Sequence, residues 1–201
     1  MTNKVEKRIN LDTEIRELSV EDGSKSMKIS GYAAVFNTEI NIGKYFREKI
    51  LPNAFTSSIQ SNDIRALWNH DDNFVLGRNK NGSLKLNEDS KGLFFELVLP
   101  DTTIGRDTYE NIKQGLVSGV SFGFTIRSEE WIDQDQPMPL RVLKDVNLVE
   151  ISPTAFPAYE ATEVYARSIL NMNIPDLSYL KDLQAKRDFL SVLEKSNKAL
   201  I

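Results

Sequence analysis

The sequence predicts a β-rich α+β domain followed by a helical tail, and three observations lead there. Runs of β formers such as "MKISGYAAVF" and "GLFFELVLP" recur between turn-rich stretches. Only two helical patterns interrupt them. From about residue 168 the apolar residues Leu177, Leu180, Leu183, Phe189, Leu190 and Leu193 adopt near-helical spacing. These mark a domain over residues 1–167 and a C-terminal helical tail over 168–201. With 201 residues and 40% apolar content, one domain with a substantial core is expected.

In order, the polar N-terminal segment holds weak alternation in "RINLDTEIREL" that fits one edge strand, and "MKISGYAAVF" follows as a strand. "NTEINIGKYF" reads as a loop and "REKILPNAFTSSIQ" as a turn and short helix, with Pro52 near its first turn. "DIRALWNH" alternates as a strand, and "SLKL" and "GLFFELVLP" flank the turn "NEDSKG". "TTIGRDTYENIKQG" fits a helix that starts from an Asp101/Thr102 cap and stops at Gly115. Two strands, "VSGVSFGFTIRSEEW" and "LRVLKDVNLVEISPTAF", surround the loop "IDQDQPMP".

The net charge of −4 comes from interspersed acids and bases, which argues against nucleic acid or an anionic membrane as the main partner. The chain has no cysteine, so disulfides, thiol catalysis and cysteine-based zinc sites are excluded. One histidine leaves only carboxylates as metal co-ligands, and neither a metal nor a cofactor is expected. No apolar leader or membrane-spanning run is present, predicting a soluble intracellular protein.

Chemistry enters at "LVSGVSFGF", which contains G-x-S-x-G around Ser121. Alternation turns Val120, Phe122, Phe124 and Ile126 one way and Ser121 the other, between two glycines that leave space for a substrate backbone. Ile64, Ala66, Trp68 and His70 share a face, so the single histidine ends an apolar row. Val142, Val146, Leu148 and Glu150 share another, broken by Lys144, which puts a carboxylate among apolar neighbours. Singly, each has a plain structural explanation: a satisfied histidine, a tight strand crossing, a solvated strand end. Together they are the trio of acyl transfer: nucleophile, base, and an acid that fixes the base's tautomer. A nucleophile elbow is eliminated, because β-rich sequence follows Ser121 and no histidine lies beyond residue 70.

"ISGYAAVFN", "FREKILPNAF", "ALWNHD", "GLVSGVSFGF" and "VNLVEISPTAFPAY" occur in the order and approximate spacing of the prohead proteases of tailed bacteriophages, and the chain resembles that family over roughly residues 29–160. The resemblance implies a serine endopeptidase of capsid maturation, with a fold similar to the herpesvirus assemblins: a β-barrel with helices around it. It assigns His70 as base, Ser121 as nucleophile and Glu150 as acid. Backbone N–H groups near Ser121 are the expected oxyanion donors, with Arg127 or Arg141 as weaker candidates. Where the family usually has glycine before Ala-Phe, this chain has Asn53, which also tolerates a left-handed backbone. The implied substrates are the scaffold or the delta domain of the major capsid protein, and the enzyme itself. The implied place of action is inside the immature capsid in the host cytoplasm. Homo-oligomer formation stays open. The rival is a non-enzymatic scaffold, or a degenerate protease that binds the shell through its helical tail.

Overall fold

A computed structural model describes residues 5–10, 15–17, 26–43 and 45–155. The elements are β1 (Glu6–Asn10), β2 (Arg16–Glu17), β3 (Lys28–Val35), β4 (Ile40–Ile42), β5 (Phe46–Ile50), α1 (Thr56–Ser61), β6 (Arg65–Trp68), β7 (Asp71–Arg78), β8 (Leu84–Glu88), β9 (Gly92–Val98), α2 (Thr103–Lys113), β10 (Gly119–Ile132) and β11 (Leu140–Thr154), with a 3-10 turn between β7 and β8.

The long antiparallel hairpin β10–β11 is the spine of a seven-stranded sheet. β1 pairs with the outer edge of β10. On the other side, β11 is long enough to pair in parallel with β5 over Leu140–Leu143 and with β6 at Glu150 and Ile151. β4 extends β5, and β7 extends β6. A four-stranded antiparallel sheet, ordered β2-β3-β9-β8, supplies the opposing apolar face. The core joins Ile29, Leu84, Leu93, Phe95 and Leu97 of that sheet to Phe122, Phe124, Val146, Leu148 and Ile151 of the spine. Phe55, just before α1, meets Phe122 edge-on at 5.6 Å between ring centroids. Each such ring contributes about 1.5–3 kcal/mol by leaving water.

The β-rich class holds, but the described residues form no closed barrel. A barrel requires pairing on both sides of every strand. Here two short strands take successive parts of one β11 edge, which leaves β4 and β7 as ends. The helical tail expected at 168–201, and the boundary before it, lie outside the described residues.

Three local readings change. The expected N-terminal edge strand is two short strands in different sheets, β1 on β10 and β2 on β3. The stretch read as the loop "NTEINIGKYF" contains β4 and the first residue of β5. β7, which the sequence does not mark as a strand, carries no alternation because, with one neighbour, its residues Asp72 to Val75 are exposed. The caps of α2 do follow the sequence: Thr102 Oγ1 accepts the Gly105 N–H at 3.2 Å, and Gly115 ends the helix with φ +72°. Asn53 has φ +70°, the left-handed backbone that asparagine tolerates.

Candidate active site

The site is built on one face of β10 and β11. Ser121 is paired with Ser152, and Gly123 with Glu150, so all four lie on the sheet face opposite Phe122 and Ile151. Strict alternation puts Glu150 with Val146 and Leu148 instead. A bulge corrects this: Phe124 pairs with Leu148 while Gly123 pairs with Glu150, leaving Val149 as the extra residue. That one residue turns Glu150 from the apolar face to the face of Ser121.

His70 is not the last residue of a strand either. Trp68 pairs with Asp71, so Asn69 and His70 form a two-residue hairpin turn between β6 and β7. Their φ values are +50° and +63°, the left-handed pair of a type I′ turn. Histidine is strained there by about 1–3 kcal/mol, and the strain is held by hydrogen bonds to the end of β11. The Asn69 N–H donates to the Pro153 carbonyl at 3.1 Å. The His70 N–H donates to Ser152 Oγ at 3.2 Å, and the Ala155 N–H donates to Asn69 Oδ1 at 3.2 Å.

This turn delivers the imidazole to the acid. His70 Nδ1 lies 2.6 Å from Glu150 Oε1, and Ser152 Oγ donates to Glu150 Oε2 at 2.6 Å. Glu150 is buried and His70 is partly exposed. Gly123 makes this possible, since a Cβ at position 123 would collide with Glu150 Oε1. The space beside this glycine therefore holds the acid, not the substrate backbone that the sequence suggests.

Ser121 is fully buried, and its Oγ donates to the Arg8 carbonyl of β1 at 2.8 Å. Among the described residues no hydrogen bond joins Ser121 to His70. The structure thus brings His70 and Glu150 into contact and puts Ser121 on their sheet face with its proton directed elsewhere.

Behind β1, on the opposite face, lies a buried ionic cluster. Arg8 forms a fork with Glu48 at 2.6 and 2.9 Å and reaches Glu6 at 2.7 Å. Arg141 grips Glu6 at 2.9 and 3.0 Å, touches Glu48 at 3.2 Å and bonds Glu129. Burial alone would raise the Glu6 pKa, but hydrogen bonds and charge from Arg141 and Arg8 hold its carboxyl below the usual range. Arg141 is thus engaged by glutamates, while Arg127 donates to Ser57 and Asn147, so neither arginine bonds the Ser121–His70–Glu150 group.

Sequence reasoning missed Asn69 and Ser152, and gave Gly123 a different role. An Asn-x pair between two β runs is a turn signal, and Ser152 shares strand parity with Glu150, so both were within reach. Among the described residues, no group of three or more His, Asp or Glu could hold a metal ion.

The family model described as caudovirus prohead serine protease matches residues 12–175. The chain belongs to this family. It is a serine peptidase of bacteriophage capsid maturation. No curated protein and no solved structure matches the chain. Among the described residues of this prohead protease, no helix is long and apolar enough to cross a membrane.

Proposed function

We propose that this prohead protease cleaves peptide bonds with Ser121 as nucleophile, His70 as general base and Glu150 as the acid that orients the base. One observation carries the reading: the 2.6 Å contact between His70 Nδ1 and Glu150 Oε1, on the sheet face that also bears Ser121. Glu150 holds the Nδ1–H, leaving Nε2 with a lone pair. Once Ser121 turns from Arg8, Nε2 accepts its proton as Oγ attacks the substrate carbonyl carbon. The imidazolium, stabilised by Glu150, then protonates the leaving amine. Water resolves the acyl-enzyme by the reverse sequence of proton transfers.

The substrates in this reading are the scaffold or the delta domain of the major capsid protein, and the protease itself, inside the immature capsid in the host cytoplasm. Residues 1–167 form the protease domain and 168–201 a tail for capsid entry or self-processing. Co-expression with the major capsid protein tests it: wild type yields a size-shifted capsid protein, and Ser121→Ala yields none. A second reading, a non-enzymatic shell-binding component, draws support from the Ser121 proton being directed to Arg8. Unshifted capsid protein with wild type would favour it.

A further inference from the structure

Ser152 is absent from the triad, yet it touches two of the groups on which the triad depends. It is fully buried and stands directly across from Ser121 in the β10–β11 pairing. Its oxygen accepts the His70 main-chain N–H at 3.2 Å, and its hydroxyl donates to Glu150 Oε2 at 2.6 Å. Glu150 Oε1 meets Nδ1 of the same histidine at 2.6 Å, so the three residues close a ring of hydrogen bonds.

The direction of every bond in that ring follows once Glu150 is a carboxylate, which can only accept. A main-chain N–H only donates, so Ser152 must receive there with a lone pair. Its own proton is then directed to Oε2, which requires an accepting carboxylate. As a carboxylate Glu150 has no hydrogen to give, so Oε1 also accepts and its partner Nδ1 must carry a hydrogen. The neutral imidazole is left with its lone pair on Nε2, the tautomer that a general base needs.

We propose that Ser152 is a positioning residue that locks His70 in the Nδ1–H tautomer, by holding both the turn backbone and the far oxygen of Glu150. This rests on the proposed roles of His70 and Glu150. Replacing the hydroxyl frees the carboxylate to rotate and leaves the His70 N–H without its acceptor. The loss falls on the chemical step, because Ser152 contacts the base and its acid.

The chain has one histidine, so nitrogen NMR of the imidazole reports this residue alone. At a pH where the ring is neutral, wild type should show the Nδ1–H tautomer only. Ser152→Ala should show a mixture with the Nε2–H form, and its single-turnover cleavage of co-expressed major capsid protein should slow by about 10- to 100-fold. Should the alanine protein fail to fold, Ser152→Cys fills the site with a weaker donor and is measured the same way. An Nε2–H tautomer in wild type, or a variant with wild-type tautomer and wild-type rate, would overturn the proposal. Cleavage by Ser121→Ala would sink the triad itself while leaving the tautomer result standing, so the two failures are distinguishable.

Discussion

Glu150 lies across Gly123, and its carboxylate occupies the volume where any other side chain would begin. The second glycine of the G-x-S-x-G pattern therefore serves the acid. The colliding group is the end of a flexible side chain, so Gly123→Ala should fold with Glu150 pushed away from His70. We expect cleavage to fall by at least about tenfold, since a hydrogen bond to a charged group is lost. A folded, fully active Gly123→Ala protein would count against the need for this contact.

Ser121→Ala should abolish cleavage, by roughly 10⁴-fold or more, while costing only about 1 kcal/mol for the lost bond to the Arg8 carbonyl. Ser118→Ala should be nearly silent, because Ser118 is exposed and precedes β10. Capsid-protein cleavage and urea unfolding measure both. Reversed phenotypes would move the nucleophile to Ser118.

Glu150→Gln keeps the shape of the acid but presents an amide to Nδ1 or Ser152. Activity should drop by about two to four orders of magnitude without vanishing, since base and nucleophile remain. The measurement is a cleavage time course, and near-wild-type rates would show that orientation of His70 does not depend on the carboxylate.

The positive φ of His70 makes a stability prediction independent of catalysis. His70→Gly and His70→Ala both remove the imidazole, but only glycine adopts this backbone without strain. The glycine protein should be more stable than the alanine protein by about 1–2 kcal/mol in urea unfolding. Both should be inactive. Equal stabilities would mean that the turn relaxes in the variants.

Much of this was legible in the sequence because regular strands obey parity. Phe122 and Phe124 are core residues as alternation requires, and α2 begins and ends at its expected signals. Parity failed where the ladder is irregular. The extra residue Val149 reverses the face of Glu150, and no composition rule places a bulge between two valid strand patterns. The parity argument for His70 does not hold: it ends no apolar row, and reaches Glu150 through a turn whose shape depends on φ. The ionic cluster was illegible, because Glu6, Arg8, Glu48 and Arg141 are scattered along the chain and meet only through strand order.

That cluster gives the N-terminal strand a dependence on acid. The Glu6 carboxyl is held below its ordinary value in the folded protein by Arg141 and Arg8. Its contribution is complete above that value and is lost as the pH falls through the lower, folded-state value. Amide hydrogen exchange of residues 6–10, corrected for the intrinsic rate, should therefore accelerate as the pH falls below the ordinary glutamate range, and Glu6→Gln should blunt the change. Exchange that is flat across that range would remove Glu6 as a fastener of β1.

A serine hydroxyl owns one proton, and in this molecule it is pledged to the Arg8 carbonyl. In the proposed mechanism that pledge must end before His70 takes the proton, so opening the bond to β1 adds to the barrier of the first step. That addition is set inside a single chain, and for a peptidase of capsid maturation the concentration reached on packing would leave it untouched.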